Sequence, residues 1–541
     1  MTDSGIARAS AWMALGTIVS RLTGFVRLFL IAAAIGLLLN ADLFNNANTF
    51  PNALYILVAG GVFNVVLVPQ LVRAMKSDDD GGEAYGQRII TLGLLVLAVA
   101  TILLILLVPL LMRIVFEQRL FTAELTQQRE SAELLMRVCM PQVFFYGVFV
   151  LVGQVLNARG RFGPMMWAPI VNNLVACATL GTYIVVFGSS NGEDGFTTGE
   201  VWLLGGGATL GILVQALVLV PYLRLAGFTY RPRFDFRGVG LGHTLRLGAW
   251  TLLFILANQV AFIVVQRLGT GGTLAGASNG TAAGGSAVYE IGFLISQLPH
   301  GVITVSVATA VIPTLAALAH EGRYERLRLE LARTMRVTLV VIVPLAAATA
   351  CLGQDGAGLL KAFKNLGAST AIVGSTIACF ALAMVAFTVH YLALRGFYAD
   401  EDTKTPFFLQ LTIAAVNIVS AVAFTRVVEP EHVAAALALS FGLAYLVGAT
   451  LSVTMLSRRI GRIVDAEMVR YVVRLALATT ASAVVMLVIS WWLGDLLGHG
   501  ALDSFVIVAA SGVAGAATYV AAALAMRLRE LTYLVDSIRR R

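Results

Sequence analysis

Apolar stretches of about 20 residues recur about fourteen times along this chain, and that length lets a helix cross the hydrocarbon core of a bilayer. In lipid every backbone N–H and C=O must be bonded within the protein, so a lone crossing stretch can only be a helix. The stretches centre near Gly24, Ile56, Leu103, Phe145, Val175, Leu213, Leu256, Thr304, Val343, Leu382, Val416, Tyr445, Met486 and Val513. Only 13% of the 541 residues are charged, against about 25% in soluble domains. The sequence predicts an all-α polytopic membrane protein with about 14 transmembrane helices. Met1–Ser10 lead straight into the first stretch without the short apolar core and cleavage site of a signal peptide, so that helix is expected to be retained.

The loops orient the chain. With the N-terminus in the cytoplasm, about 28 of the 38 lysines and arginines fall on inner segments and about 8 on outer ones, the asymmetry of the positive-inside rule. The outer residues are Arg113, Arg119, Arg129, Arg137, Arg267, Lys361, Lys364 and Arg426. Both termini are therefore expected inside, in a cytoplasmic membrane. The net charge of +8 has a topological origin and calls for no nucleic acid. Cys139, Cys177, Cys351 and Cys379 lie in or beside apolar stretches without a CxxC pair; they read as small core residues.

The remaining two basic residues, Arg21 and Arg27, lie inside the first stretch, SRLTGFVRLFLIAAAIGLLL. A guanidinium at the centre of a span costs at least about 2.5–3.5 kcal/mol. Such residues face a bundle interior or a wet cavity and mark a ligand path. Arg21 is close enough to the N-terminal end to snorkel. Arg27, about 9 Å deeper, is followed by twelve apolar residues and predicts a cationic site for an anion.

An internal repeat is suggested by FPNALYILVAGGVFNVVLVPQL in span 2 and LPHGVITVSVATAVIPTL in span 8, and by the Pro-ended inner loops before spans 5 and 11. The offset of six spans is even, so the halves share orientation, a parallel pseudo-two-fold repeat with a cavity between lobes. The expected division is residues 1–230 for helices 1–6, 231–465 for helices 7–12, and 466–541 for two extra helices and a basic tail.

Span 2 carries Asn45, Asn48 and Asn52 on one face, after Asp42. Asparagines in spans commonly bond across helices; the other reading is a wet face lining the Arg27 site. Pro51 and Gly60-Gly61 offer bending points. Span 7 carries Asn258, Gln259, Gln266 and Arg267; span 8 carries Glu290, Gln297 and His300. Glu290 is a candidate coupling-ion ligand or gate partner of Arg267, with surface solvation the alternative. Between them GTGGTLAGASNGTAAGGS reads as a flexible linker. The other histidines are scattered and take no role, and Asp78–Asp80 read as a solvated face. No P-loop, HExxH or nucleophile elbow occurs. An ATPase engine within the chain is excluded, leaving membrane potential, an ion gradient such as Na⁺ or H⁺, or a partner as the drive; no cofactor or metal is expected.

SRLTGFVR, ADLFNNANTFPN, GGVFNVVLVPQL, LNARGRFGPMMWAPIVNN, LPHGVITVSVATAVIPTL and LRGFYADEDTKTP together resemble the MviN/MurJ family of lipid II flippases. This family lies within the multidrug/oligosaccharidyl-lipid/polysaccharide exporter superfamily. The resemblance implies fourteen helices, two lobes and a cationic cavity. It implies transport of the undecaprenyl-pyrophosphate-linked peptidoglycan precursor from inner to outer leaflet by alternating access. The implied role is peptidoglycan biosynthesis, cell wall biogenesis and cell shape, as a membrane transporter and not an enzyme. The implied partners are lipid II, bilayer lipids and cell-wall synthesis or division proteins. Arg21 and Arg27 match the family's span-1 arginines and Asp42 its acidic residue before span 2. Tyr55, Leu294 and Gln297 stand where Gram-negative members carry charges, so the chain resembles actinobacterial-type members. Arg21, Arg27, Asp42, Asn48, Asn52, Tyr55 and Gln297 are the expected substrate-binding residues, with Arg267 and Glu290 as gate or coupling residues. The alternatives are a flippase for another polyprenyl-linked glycan, a drug/cation antiporter, a non-transporting scaffold of the cell-wall complex, and a membrane glycosyltransferase. The last would need acidic outer loops or a soluble domain, and the antiporter acidic residues in the N-lobe spans; neither is apparent.

Overall fold

The computed structural model describes residues 3–56, 82–161, 163–189, 194–236, 241–363, 366 and 369–532, and their side chains except at 3–14, 17–18 and 241–248. Gly60-Gly61, Asp78–Asp80, Lys364 and the His243 side chain lie outside the described residues. Every regular element among the described residues is a helix. Twelve of the helical stretches are long and apolar enough to cross a membrane, and each holds one of the expected centres from Leu103 to Val513. The first helix, α1 (Asp3–Ile35), holds Gly24. The second, α2 (Leu39–Tyr55), ends one residue short of Ile56. The chain falls into two compact units, Met1–Gln259 and Val260–Arg541.

In the first unit α1 stops at Gly36, which takes φ 76° and bonds its N–H to the Ala32 carbonyl at 3.0 Å, the left-handed helix end that glycine adopts without strain. After α2 come α3 (Glu83–Leu106), α4 (Val108–Val115), α5 (Thr126–Cys139), α6 (Gln142–Ala158), α7 (Gly163–Phe187), α8 (Thr198–Leu217) and α9 (Val220–Leu225). Polar side chains fasten their ends. The Asn40 amide pairs with both backbone groups of Gly195. Thr197 and Glu200 close a capping box on α8, and Glu200 accepts the hydroxyl of buried Tyr183 on α7 at 2.6 Å.

The boundary between units lies within α10 (Leu241–Asn279). This helix corrects the expectation of a flexible linker: the glycine-rich residues up to Asn279 form its last turns. Gly269, Gly272 and Gly276 sit so close to their neighbours that a Cβ would meet Ser286, Val433 and Ala283. Glycine weakens helices in water, but inside a membrane small residues let helix backbones approach, and the bilayer enforces the helix. Arg267 is consequently a half-buried residue within a membrane-length helix, not part of the outer loop with which its charge was counted.

The second unit continues with α11 (Ser286–Pro299), a π-helical turn (His300–Thr304), α12 (Val305–His320), α13 (Tyr324–Gly358), α14 (Thr370–Ala399), α15 (Lys404–Thr425), α16 (Val433–Ile460), α17 (Ala466–Leu497) and α18 (Ala501–Ala525). α14 packs against both α13 and α16. The last two helices lie on α13, where Tyr471 and Tyr519 donate to the Arg336 and Val340 carbonyls. Arg336 pairs with Glu467 at 3.1 Å and Glu530 at 3.0 Å.

Candidate functional site

The rotation of α1 is set by its packing on α7. A Cβ on Gly16 would lie 2.9 Å from the Trp167 indole nitrogen. One turn further, the Asn173 amide donates to the Ser20 carbonyl at 2.9 Å and the Thr23 hydroxyl at 3.0 Å. Residues 16, 20, 23, 24 and 27 share a face at helical spacing. Arg27 accordingly follows along the same seam, within electrostatic reach of Cys177 on α7 and Tyr146 on α6. Arg21 is about 9 Å back along the axis and about 120° around it.

Both arginines are half-buried. The described ion pairs and hydrogen bonds include neither, and the buried Nε of Arg21 has no hydrogen-bond partner. Among the described residues no carboxylate is an electrostatic neighbour of Arg27. Removing one partner from a buried ion pair costs about 3–5 kcal/mol. A guanidinium kept this way is suited to an anion that arrives as ligand, since it binds phosphate by charge-assisted, bidentate hydrogen bonds.

The α2 residues divide. Asp42 is fully buried in the first turn, where a carboxylate meets the positive end of the helix dipole. Asn48 accepts from Gln142 of α6 at 3.2 Å, and Gln142 also approaches Thr209 of α8, whose hydroxyl donates to the Val138 carbonyl. Asn48 thus takes the cross-helix reading. Asn45 accepts from Thr49, while its buried amide nitrogen has no partner. Asn52 is half-buried. Tyr55 stacks on Tyr146, ring centroids 5.2 Å apart at 21°. The structure therefore groups Tyr55, Tyr146 and Arg27. Tyr146 was missed because an aromatic in QVFFYGVFV reads as core; only its place opposite an intramembrane arginine distinguishes it.

In the second unit Gln266 donates to Glu290 at 3.0 Å. Asn258 turns back to its own helix, donating to the Phe254 carbonyl. Gln297 is half-buried one turn before the π-helical segment. There His300 bonds Thr388 at 3.2 Å, its ring packed on Phe387 and Tyr391. Residues Pro299–Thr304 so form a pinned irregularity inside a 35-residue span. The sequence shows a proline there but not the partner on α14.

Membrane-length helices throughout, with two guanidiniums in the first helix that take part in no ion pair among the described residues, define a polytopic α-helical membrane protein. The Lipid II flippase MurJ family matches residues 31–510. The chain belongs to that family. Arg21 and Arg27 precede the matched segment. The chain is 27% identical over 490 residues to a probable lipid II flippase MurJ of Rhizobium tropici, covering 90% of this chain and 87% of that one. It is 27% identical over 432 residues to that of Haemophilus influenzae, covering 76% and 79%. Among solved structures, the fold matches a lipid II flippase MurJ in an inward closed conformation, with TM-score 0.72, 16% identity, and coverage of 96% of this chain and 99% of that one. It also matches an inward-facing multidrug resistance MATE family transporter of the MOP superfamily, with TM-score 0.64, 16% identity, and coverage of 82% and 95%.

Proposed function

We propose that this chain flips lipid II, the undecaprenyl-pyrophosphate-linked peptidoglycan precursor, from the inner to the outer leaflet of the cytoplasmic membrane. Family membership supports the cargo. The observation that carries the site is Arg27, a half-buried guanidinium on the α1–α7 seam with no carboxylate beside it among the described residues. Arg27 holds the pyrophosphate, and Arg21 receives the head group nearer the N-terminal end of α1. The polyprenyl tail stays in lipid while alternating access carries the head group across. The chain acts as a transporter, with both termini cytoplasmic, lobes 1–230 and 231–465, and 466–541 appended.

Moving a dianion outward, toward the positive side of an inside-negative membrane, is favourable by about 2.3 kcal/mol per charge per 100 mV. Membrane potential therefore drives the loaded step, and Na⁺ or H⁺ resets the empty carrier. Glu290 with Gln266, and Arg267 beside it in sequence, are the polar groups of the second unit proposed for gating or coupling. Cell-wall synthesis and division proteins are the proposed neighbours.

The test is complementation of flippase-depleted cells, with outer-leaflet lipid II read by an externally added lipid II-cleaving toxin. Wild type restores cleavage, and Arg27→Ala at equal membrane level does not. Wild type that restores nothing would leave another polyprenyl-linked glycan or a scaffold role. Equal restoration by Arg27→Ala would remove Arg27 from the site.

A further inference from the structure

Three donor groups of the first unit make no hydrogen bond among the described residues: Arg27, Tyr146 within its electrostatic reach, and Tyr55 stacked on Tyr146. Arg27 makes no hydrogen bond or ion pair among the described residues, and its electrostatic neighbours are Tyr146 and Cys177. Tyr146 stacks on Tyr55 at 5.2 Å and 21°. Neither phenol makes a hydrogen bond among the described residues, and neither oxygen is among the fully buried unpartnered atoms. Both side chains are half-buried, and among the described residues their hydroxyls are free. A tyrosine used only for packing finds a partner for its hydroxyl when buried, or is replaced by phenylalanine. α6 carries phenylalanine at 144, 145 and 149 and its one tyrosine at the position beside Arg27. Tyr55 also packs against the buried cluster of Ile89, Leu97 and Leu151, a contact that supports the stack without a hydrogen bond to the oxygen.

A guanidinium is saturated by one phosphate group bound side-on. A pyrophosphate presents a second phosphate that needs donors of its own, and the two phenols supply donors without adding charge. Phenol-to-phosphate bonds are charge-assisted and strong in a site of low dielectric. We infer that Tyr146 and Tyr55 bind the second phosphate of the cargo, making the site selective for pyrophosphate-linked over monophosphate-linked polyprenyl carriers. This rests on the flippase reading above and adds to it a contact and a selectivity.

The experiment measures binding of undecaprenyl pyrophosphate and undecaprenyl monophosphate to the purified full-length protein in nanodiscs, for wild type, Tyr55→Phe, Tyr146→Phe, the double variant and Arg27→Gln. Phenylalanine keeps the ring stack, and unchanged unfolding temperatures verify it. Each tyrosine variant is expected to bind the pyrophosphate about tenfold more weakly, the scale of one hydrogen bond to a charged group, with the monophosphate unchanged. Arg27→Gln weakens both. Tyrosine variants that keep wild-type preference overturn the inference while leaving the flippase reading intact. Equal weakening toward both probes overturns it too, showing that Tyr146 only positions Arg27. Wild type that binds neither probe overturns the inference together with the flippase reading.

Discussion

Arg27 and Asn48 are both polar residues in apolar helices, yet the structure treats them differently. Among the described residues Arg27 has neighbours but no anion, whereas Asn48 is spent on Gln142. Asn48→Ala is accordingly expected to lower stability by about 0.6–2 kcal/mol, read as a drop in unfolding temperature in detergent, with lipid II affinity retained. Lost affinity at unchanged stability would return Asn48 to the binding site. Arg27→Lys keeps the charge but loses the bidentate geometry; its transport in the toxin assay should fall between wild type and Arg27→Ala, and wild-type transport would reduce Arg27 to a point charge. Arg27 was legible in the sequence because a charge within an apolar run contradicts its surroundings. Tyr146 was not, because aromatic side chains agree with theirs and only a neighbour from another helix reveals the difference.

At the scale of elements, the glycine-rich end of α10 shows what sequence alone hides. The same residues that make a linker in water make a close helix seam in a membrane protein, since the solvent decides which conformation satisfies the backbone. Gly272→Leu places a branched side chain where even a Cβ would lie 2.7 Å from Val433. It should cost about 1–3 kcal/mol and lower the unfolding temperature, while a linker would accept it unchanged. The turn between α14 and α15 offers a pH test. Asp402 accepts from the Thr405 N–H at 2.9 Å and hydroxyl at 2.6 Å and from Arg459 at 2.6 Å. Burial favours its neutral form, but the Thr405 bonds and Arg459 outweigh this and hold the carboxyl below its usual range. A depressed folded-state pKa gives stability that is present above the ordinary carboxylate value near 3.8 and lost as pH falls through the folded one. Asp402→Asn should thus unfold at a lower temperature than wild type at pH 7, with the gap closing in acid. A gap independent of pH would contradict that account.

For the whole molecule, hydropathy carried most of the architecture. The lengths of apolar stretches anticipated each of the 12 candidate spans, because a bilayer imposes one length and one backbone solution on every crossing. It could not show where a span is broken: the π-helical turn at His300–Thr304 depends on Thr388, Phe387 and Tyr391 of another helix. The central claim is that an unpaired guanidinium in the first helix receives the anionic head group of a lipid carried across the membrane. Its most direct measurement is translocation of fluorescent lipid II in vesicles containing only the purified protein, with an imposed potential of either sign. The account predicts transfer that depends on Arg27 and is faster when the receiving side is positive. Transfer by Arg27→Ala at the wild-type rate, or none by wild type under either potential, would contradict it.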